Sequence, residues 1–140
     1  MIILDTNVLS ELMKPKPSAA VVAWIAQQPA PDLFTTAITE AEIFYGIELL
    51  GKGKRRDALL AAADGVFSED FAERVLGFDS DTARDFASVA VHRWALGRPI
   101  SHADAQIAAI ARAHGAKLAT GNGPDFADCG IVVIDPWKAA

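Results

Sequence analysis

The chain is poor in the residues that most often announce a zinc site or a disulfide. Cys129 is its single cysteine, so no internal disulfide can form, which agrees with a reducing compartment. Three scattered histidines add no zinc-binding set. No apolar run nears the roughly 20 residues needed to span a bilayer. The N-terminus enters a strand-like run directly, without a basic n-region or a cleavage site. A cytoplasmic protein with no membrane partner is the expectation. Basic residues are also outnumbered, 13 Lys and Arg against 18 Asp and Glu, for a net charge of -5. That weighs against a general nucleic-acid binder, because phosphate contact is driven by Lys and Arg. Acids gathered around a divalent cation would nonetheless place much of their charge on that ion. Sequence signatures of P-loops, zincins, nucleophile elbows and dinucleotide folds are lacking as well.

What is present suits one compact domain spanning residues 1–140, with 51% hydrophobic and 22% charged residues. Met1-Ile2-Ile3-Leu4 reads as a short buried strand, and Asp5, Thr6 and Asn7 stand where it leaves the sheet. In open parallel sheets that edge holds the ligand. Helical composition from Thr6 to Lys14 ends before Pro15 and Pro17, and Ser18 caps a second helix to about Gln28. Leu33-Phe34-Thr35-Thr36 predicts a strand. Helices follow from Ile38 to Leu50, to about Ala63, from Thr82 to about Leu96 and from Ser101 to His114. The third of these is expected to turn Phe86, Val89, Ala90 and Trp94 inward. Val75 to Phe78, Lys117-Leu118-Ala119 and Ile131 to Ile134 complete the strands. Strands separated by helices predict an α/β domain with a mainly parallel sheet of four to five strands, flanked by helices.

Two further acids are candidates to meet Asp5. Ile38, Glu42, Tyr45 and Leu49 are spaced four, three and four apart, which places them on one helical face. On such a stripe Glu42 needs a partner or a metal; the alternative is that it edges the stripe and reaches water. Asp104 follows Ser101 by three residues, the signature of a capping box. It also shares a face with Ile107, Ala108 and Ala111, which aims it inward, toward a tight carboxylate pocket. After the strand ending at Ala119, the loop Thr120-Gly121-Asn122-Gly123-Pro124-Asp125 emerges at the edge that carries Asp5 if the two strands are parallel. Lys52, Lys54, Arg55 and Arg56 form the only dense basic cluster, either a seat for RNA phosphates or a solvated surface.

Oxygen ligands without Cys or His suit a hard cation such as Mg²⁺ or Mn²⁺. Metal-assisted phosphodiester hydrolysis is the reaction such a set best fits. A phosphatase with an aspartyl nucleophile would want a second Asp two positions after Asp5, where Asn7 stands.

Four segments in order carry a resemblance: Ile3-Leu4-Asp5-Thr6-Asn7-Val8-Leu9-Ser10-Glu11, Ala37-Ile38-Thr39-Glu40-Ala41-Glu42-Ile43-Phe44-Tyr45-Gly46, Ala103-Asp104-Ala105-Gln106-Ile107-Ala108-Ala109, and Ala119-Thr120-Gly121-Asn122. Together they resemble PIN-domain ribonucleases, most closely the VapC-type toxins of bacterial toxin-antitoxin pairs and their FitB branch. The resemblance implies a PIN-like fold and an acidic Mg²⁺- or Mn²⁺-dependent site that cleaves RNA. It also implies a homodimer and a small antitoxin that covers the acidic pocket. Asp5 matches the family's first acid, Glu42 its helical glutamate and Asp104 the acid of its third motif. A further family acid is replaced here by Asn122, with Asp125 three residues later. Phe44 is a candidate for the antitoxin interface or for ordinary core.

The expected activity is thus that of an endoribonuclease. Asp5, Glu42 and Asp104 would hold the metal, Asn122 and Thr120 would orient water or phosphate, and Thr6 and Asp125 would support them. The rivals are a PIN-like module weakened at Asn122 that binds RNA or protein, and an enzyme acting on small phosphoesters.

Overall fold

The computed structural model describes residues 1–139. Its frame is a sheet of five parallel strands among the described residues, in the order β3-β2-β1-β4-β5. β1 (Ile2–Leu4) lies at the centre, between β2 (Leu33–Thr36) and β4 (Lys117–Ala119). β3 (Val75–Leu76) and β5 (Val133–Ile134) form the edges. Leu4 pairs with Ala119, so β1 and β4 end level and deliver Asp5 and Thr120 to the same edge.

Helices cover both faces, as all-parallel sheets require. α1 (Thr6–Leu12), α2 (Ala19–Ala26), α3 (Ala37–Glu48) and α4 (Lys54–Gly65) contribute Val8, Leu9, Trp24, Ile43, Ile47 and Ala63 to one core. α5 (Ser80–Ala95) and α6 (His102–Ala113) contribute Val89, Ile107 and Ile110 to the other. Adjacent residues of a strand point to opposite faces; Leu4 accordingly joins the first core and Ile3 the second. Among the described residues no helix is long and apolar enough to cross a membrane.

Three expectations are corrected by the packing. On α3 the buried face is Thr39, Ile43 and Ile47, whereas Tyr45 and Leu49 are 67% and 69% exposed. Glu42 is therefore not on a buried stripe but exposed, as in the alternative in which it edges the stripe and reaches water. Apolar residues ring this helix, so two stripes fit helical spacing, and the sheet takes the one with β-branched residues at i, i+4 and i+8. On α5, Trp94 is 72% exposed and its neighbour Arg93 is buried instead. The strands expected over Val75 to Phe78 and Ile131 to Ile134 shorten to β3 and β5. Beyond the former, Asp79 begins α5 by forming a capping box with Thr82. Phe44 is half-buried against Phe67, with ring centroids 5.8 Å apart, so the core reading holds for it.

Candidate active site

Asp5 caps α1 at the carboxyl end of the central strand and is only 4% exposed. A carboxylate in that position is tolerable because three donors are turned on it. Oδ1 accepts from the Thr6 amide at 2.8 Å, and Oδ2 accepts from Thr120 Oγ1 at 2.8 Å and Asn7 Nδ2 at 3.1 Å. Burial nonetheless pushes its pKa up, and Glu42 adds to the rise; the bonds from Thr120, Thr6 and Asn7 oppose it.

Asn7 joins strand ends that lie far apart in sequence. Its Nδ2 also reaches Thr120 Oγ1 at 3.1 Å, while its Oδ1 accepts from the Gly121 amide at 2.9 Å. Thr120 Oγ1 accepts in addition from the Asn122 amide at 3.1 Å. With both Nδ2 protons and Oδ1 engaged, the Asn7 amide has one possible orientation. An aspartate there would repel Asp5 and present no donor to it.

Glu42 is reached from the other side of Asp5. Thr6 Oγ1 donates to Glu42 Oε1 at 2.8 Å and lies 3.1 Å from Thr39 Oγ1. Thr6 has one hydroxyl proton, so Thr39 must be the donor in their mutual bond. β2 runs into α3 with no intervening loop: Thr36 ends the strand and its hydroxyl accepts from the Thr39 amide. Thus Glu42 is an exposed carboxylate held at the site by Thr6 rather than a buried one seeking a partner.

Asp104 sits half-buried in the first turn of α6, where Ser101 provides the cap by accepting from the Asp104 amide at 3.2 Å. Its carboxyl pKa is raised to about 6. Burial is the main cause; Ser101 opposes the rise, and Asp5, Asp125 and Glu42 add to it in that order. The inward face expected for this helix is present, since Ile107, Ala108 and Ala111 are fully buried.

The loop after β4 presents Asn122 and Asp125 on the exposed side, and Asp125 lies near enough to act on Asp104. The basic cluster is divided. Arg56 pairs with Glu48, while Arg55 lines a groove of about 620 Å³ together with Thr6, Ser10 and Glu42. Met13, just past the end of α1, and apolar residues of α3 and α4, among them Ile47 and Leu59, form its walls. Lys52 and Lys54 remain exposed.

The donor set fits a hard divalent cation. All its members are oxygens, and the carboxyls of Asp5 and Asp104 are held above their ordinary pKa by burial and by neighbouring carboxylates, both of which a cation among them would relieve. Among the described residues no three acidic, His or Cys side chains are drawn together into a closed metal cluster. Asn7 and Thr39 escaped the sequence reading as members of the network. The signal for Asn7 was its place two residues after Asp5, on the same strand exit.

The PIN domain family model matches residues 2–131. A VapC ribonuclease, Y4jK of Sinorhizobium fredii, is 41% identical over 140 residues, which is 100% of both chains. Toxin FitB of Neisseria gonorrhoeae is 36% identical over 137 residues, 98% of this chain and 99% of that one. A solved structure of FitAB bound to an IR36 DNA fragment superposes with a TM-score of 0.93 at 36% identity, covering 100% of this chain and 98% of that chain.

Proposed function

The chain belongs to the PIN domain family and to its VapC and FitB toxin group, and on that premise we propose that it is an Mg²⁺- or Mn²⁺-dependent endoribonuclease, the toxin of a toxin-antitoxin pair. The observation that carries the proposal is the hydrogen-bonded frame at the end of β1, where Thr120, Asn7 and the Thr6 amide hold a buried Asp5 and Thr6 Oγ1 holds Glu42, with Asp104 close enough for Asp5 and Glu42 to raise its pKa.

Asp5, Asp104 and Glu42 would hold the cation. When bound, the ion supplies positive charge that polarises the scissile phosphodiester and activates water for attack. The protein's part is to fix the donors. Thr120, Asn7 and the Thr6 amide hold the Asp5 carboxylate in one orientation, and Thr6 Oγ1 does the same for Glu42. Such preorganisation avoids rearranging dipoles during the reaction. Asn122 and Asp125, exposed at the rim, would orient water or the substrate phosphate. Arg55, with Lys52 and Lys54 nearby in sequence, would receive RNA phosphates approaching along the groove.

The groove also suits an antitoxin segment, because apolar walls lead directly to Thr6 and Glu42. A segment lying there would bring its end to the carboxylates and silence the site. The partners are thus RNA, an antitoxin and a second copy of the chain, and the cytoplasm is where they would meet. A second reading, a weakened module that binds RNA or protein, rests on Asn122, which supplies no charge where the family often has an acid.

RNA cleavage measured with Mg²⁺, with excess chelator, and in Asp5→Asn and Asp104→Asn tests the first reading. Loss of at least 100-fold in each mutant and in chelator is expected, and full activity in either mutant would refute it. For the second reading, a site that binds Mn²⁺ no better than Asp5→Ala would be the supporting result.

A further inference from the structure

Arg93 is the buried cation among the described residues, 5% exposed on the last turn of α5. Among those residues no carboxylate lies within ion-pair distance of it. A charge buried without a counter-charge is costly unless hydrogen bonds compensate. Here main-chain carbonyls do so. Nε donates to Arg98 O at 2.8 Å, and Nη1 donates to Asp125 O at 2.7 Å and Ala127 O at 3.1 Å.

The positions of those carbonyls matter. Arg98 O stands in the connection from α5 to α6, three residues before Ser101, which caps the helix that carries Asp104. Its own place is set by the end of α5: Gly97 takes φ 73°, and the Arg98 amide donates to Arg93 O at 3.0 Å. Asp125 O and Ala127 O bracket the end of the Gly123–Phe126 turn, which carries Asp125. One guanidinium therefore joins the segment leading to Asp104 with the turn holding Asp125. An apolar residue could fill the same volume without the desolvation cost, but it could not join the two segments. A lysine keeps the charge yet loses the planar fork that reaches in two directions at once.

We propose that Arg93 is a positioning residue of the carboxylate site: its guanidinium sets the Asp104 segment and the Asp125 turn at a fixed separation, and so shapes the site for a divalent cation. The proposal rests on the metal-dependent reading for its consequence, though not for the clasp itself.

Two readouts separate these parts. Amide hydrogen exchange on the intact chain reads the clasp: Arg93→Met should speed exchange at least 10-fold in both residues 97–101 and residues 123–128, with β1 and α1 unaffected. Mn²⁺ affinity by electron paramagnetic resonance reads the consequence: a loss of at least 10-fold in Arg93→Met, and of 3- to 10-fold in Arg93→Lys. RNA cleavage should fall in kcat more than it rises in KM. Val21→Ala, a core change on α2, controls for general destabilisation and should keep wild-type Mn²⁺ affinity.

Unchanged exchange in either segment, wild-type Mn²⁺ affinity in a folded Arg93→Met, or an equal loss in Val21→Ala would overturn the proposal. Should Arg93→Met fail to fold, Arg93→Lys carries the same two measurements. If the wild-type chain binds no Mn²⁺, the metal-dependent reading fails, and the exchange data alone decide whether the clasp exists.

Discussion

Asp104 carries a testable pH signature. Its pKa in the folded chain, about 6, lies above the value of 3.8 for an unperturbed Asp. The folded state therefore binds more protons than the unfolded state between those values, and stability falls as pH rises through that window. The favourable contribution is complete below about pH 4 and gone above about pH 6, and the raised pKa of Asp5 acts in the same direction. Asp104→Asn should accordingly stabilise the metal-free chain at pH 7, by on the order of 1 kcal/mol after allowance for solvent screening. The gain should vanish near pH 4 and be reversed by Mg²⁺, which only the wild type would bind well. Urea unfolding at the two pH values, with and without Mg²⁺, measures this.

Asn7 has a different signature. Asn7→Ala leaves the Gly121 amide without its partner and takes a donor from Asp5, which should cost about 1–3 kcal/mol and lower RNA cleavage at least 10-fold. Asn122→Asp should do the reverse at the metal site, tightening Mn²⁺ binding in a titration by adding a charge to an exposed, adaptable position. Individual residues were unevenly legible. Asp5 was marked by its place after a four-residue apolar run and Asp104 by its helix face, both local patterns. For Glu42 the spacing left a partnered site and an exposed edge both open, because its tie to the site runs through Thr6, a contact across 36 positions that no periodicity encodes.

At the scale of elements, the parallel sheet and helix placement followed from alternation of apolar runs with capped helices, but the strand order β3-β2-β1-β4-β5 and the inward faces of α3 and α5 did not. Both helices carry more large apolar residues than their buried faces can take. Spacing alone therefore admits several faces, and only the sheet selects among them. Arg93 is the extreme case, since a charged residue is interior there while Trp94 faces out. The turn after β4 shows how tightly the elements are joined. A Cβ built on Gly121 would lie 2.7 Å from the Trp137 ring. Gly121→Ala must shift that ring or the loop holding Asn122, so a loss of about 1–3 kcal/mol is expected in thermal unfolding, together with weaker metal binding. Trp137→Leu should restore part of both.

For the whole molecule, the exposed apolar residues bear on assembly. Tyr45 and Leu49 on α3, and Val91 and Trp94 on α5, are more than half exposed. Scattered apolar exposure is ordinary, but large side chains grouped on single helix faces mark interaction surfaces. A homodimer should be seen by light scattering at micromolar concentration. Tyr45→Glu combined with Trp94→Glu should shift it to monomer with little change in unfolding temperature.

The bond from Thr120 to Asp5 spans 115 positions of the chain, and this bears on synthesis. Asp5 leaves the ribosome among the first residues, whereas Thr120 follows only after β4, which lies between β1 and β5 in the sheet. Contacts of such sequence separation carry a loop-closure cost that slows folding. A nascent or prematurely ended chain thus presents Asp5 with an unfinished sheet and without its main hydrogen-bond donor. If the chain is the proposed ribonuclease, a product that stops before β4 should therefore show no RNA cleavage, which expression of residues 1–116 would test.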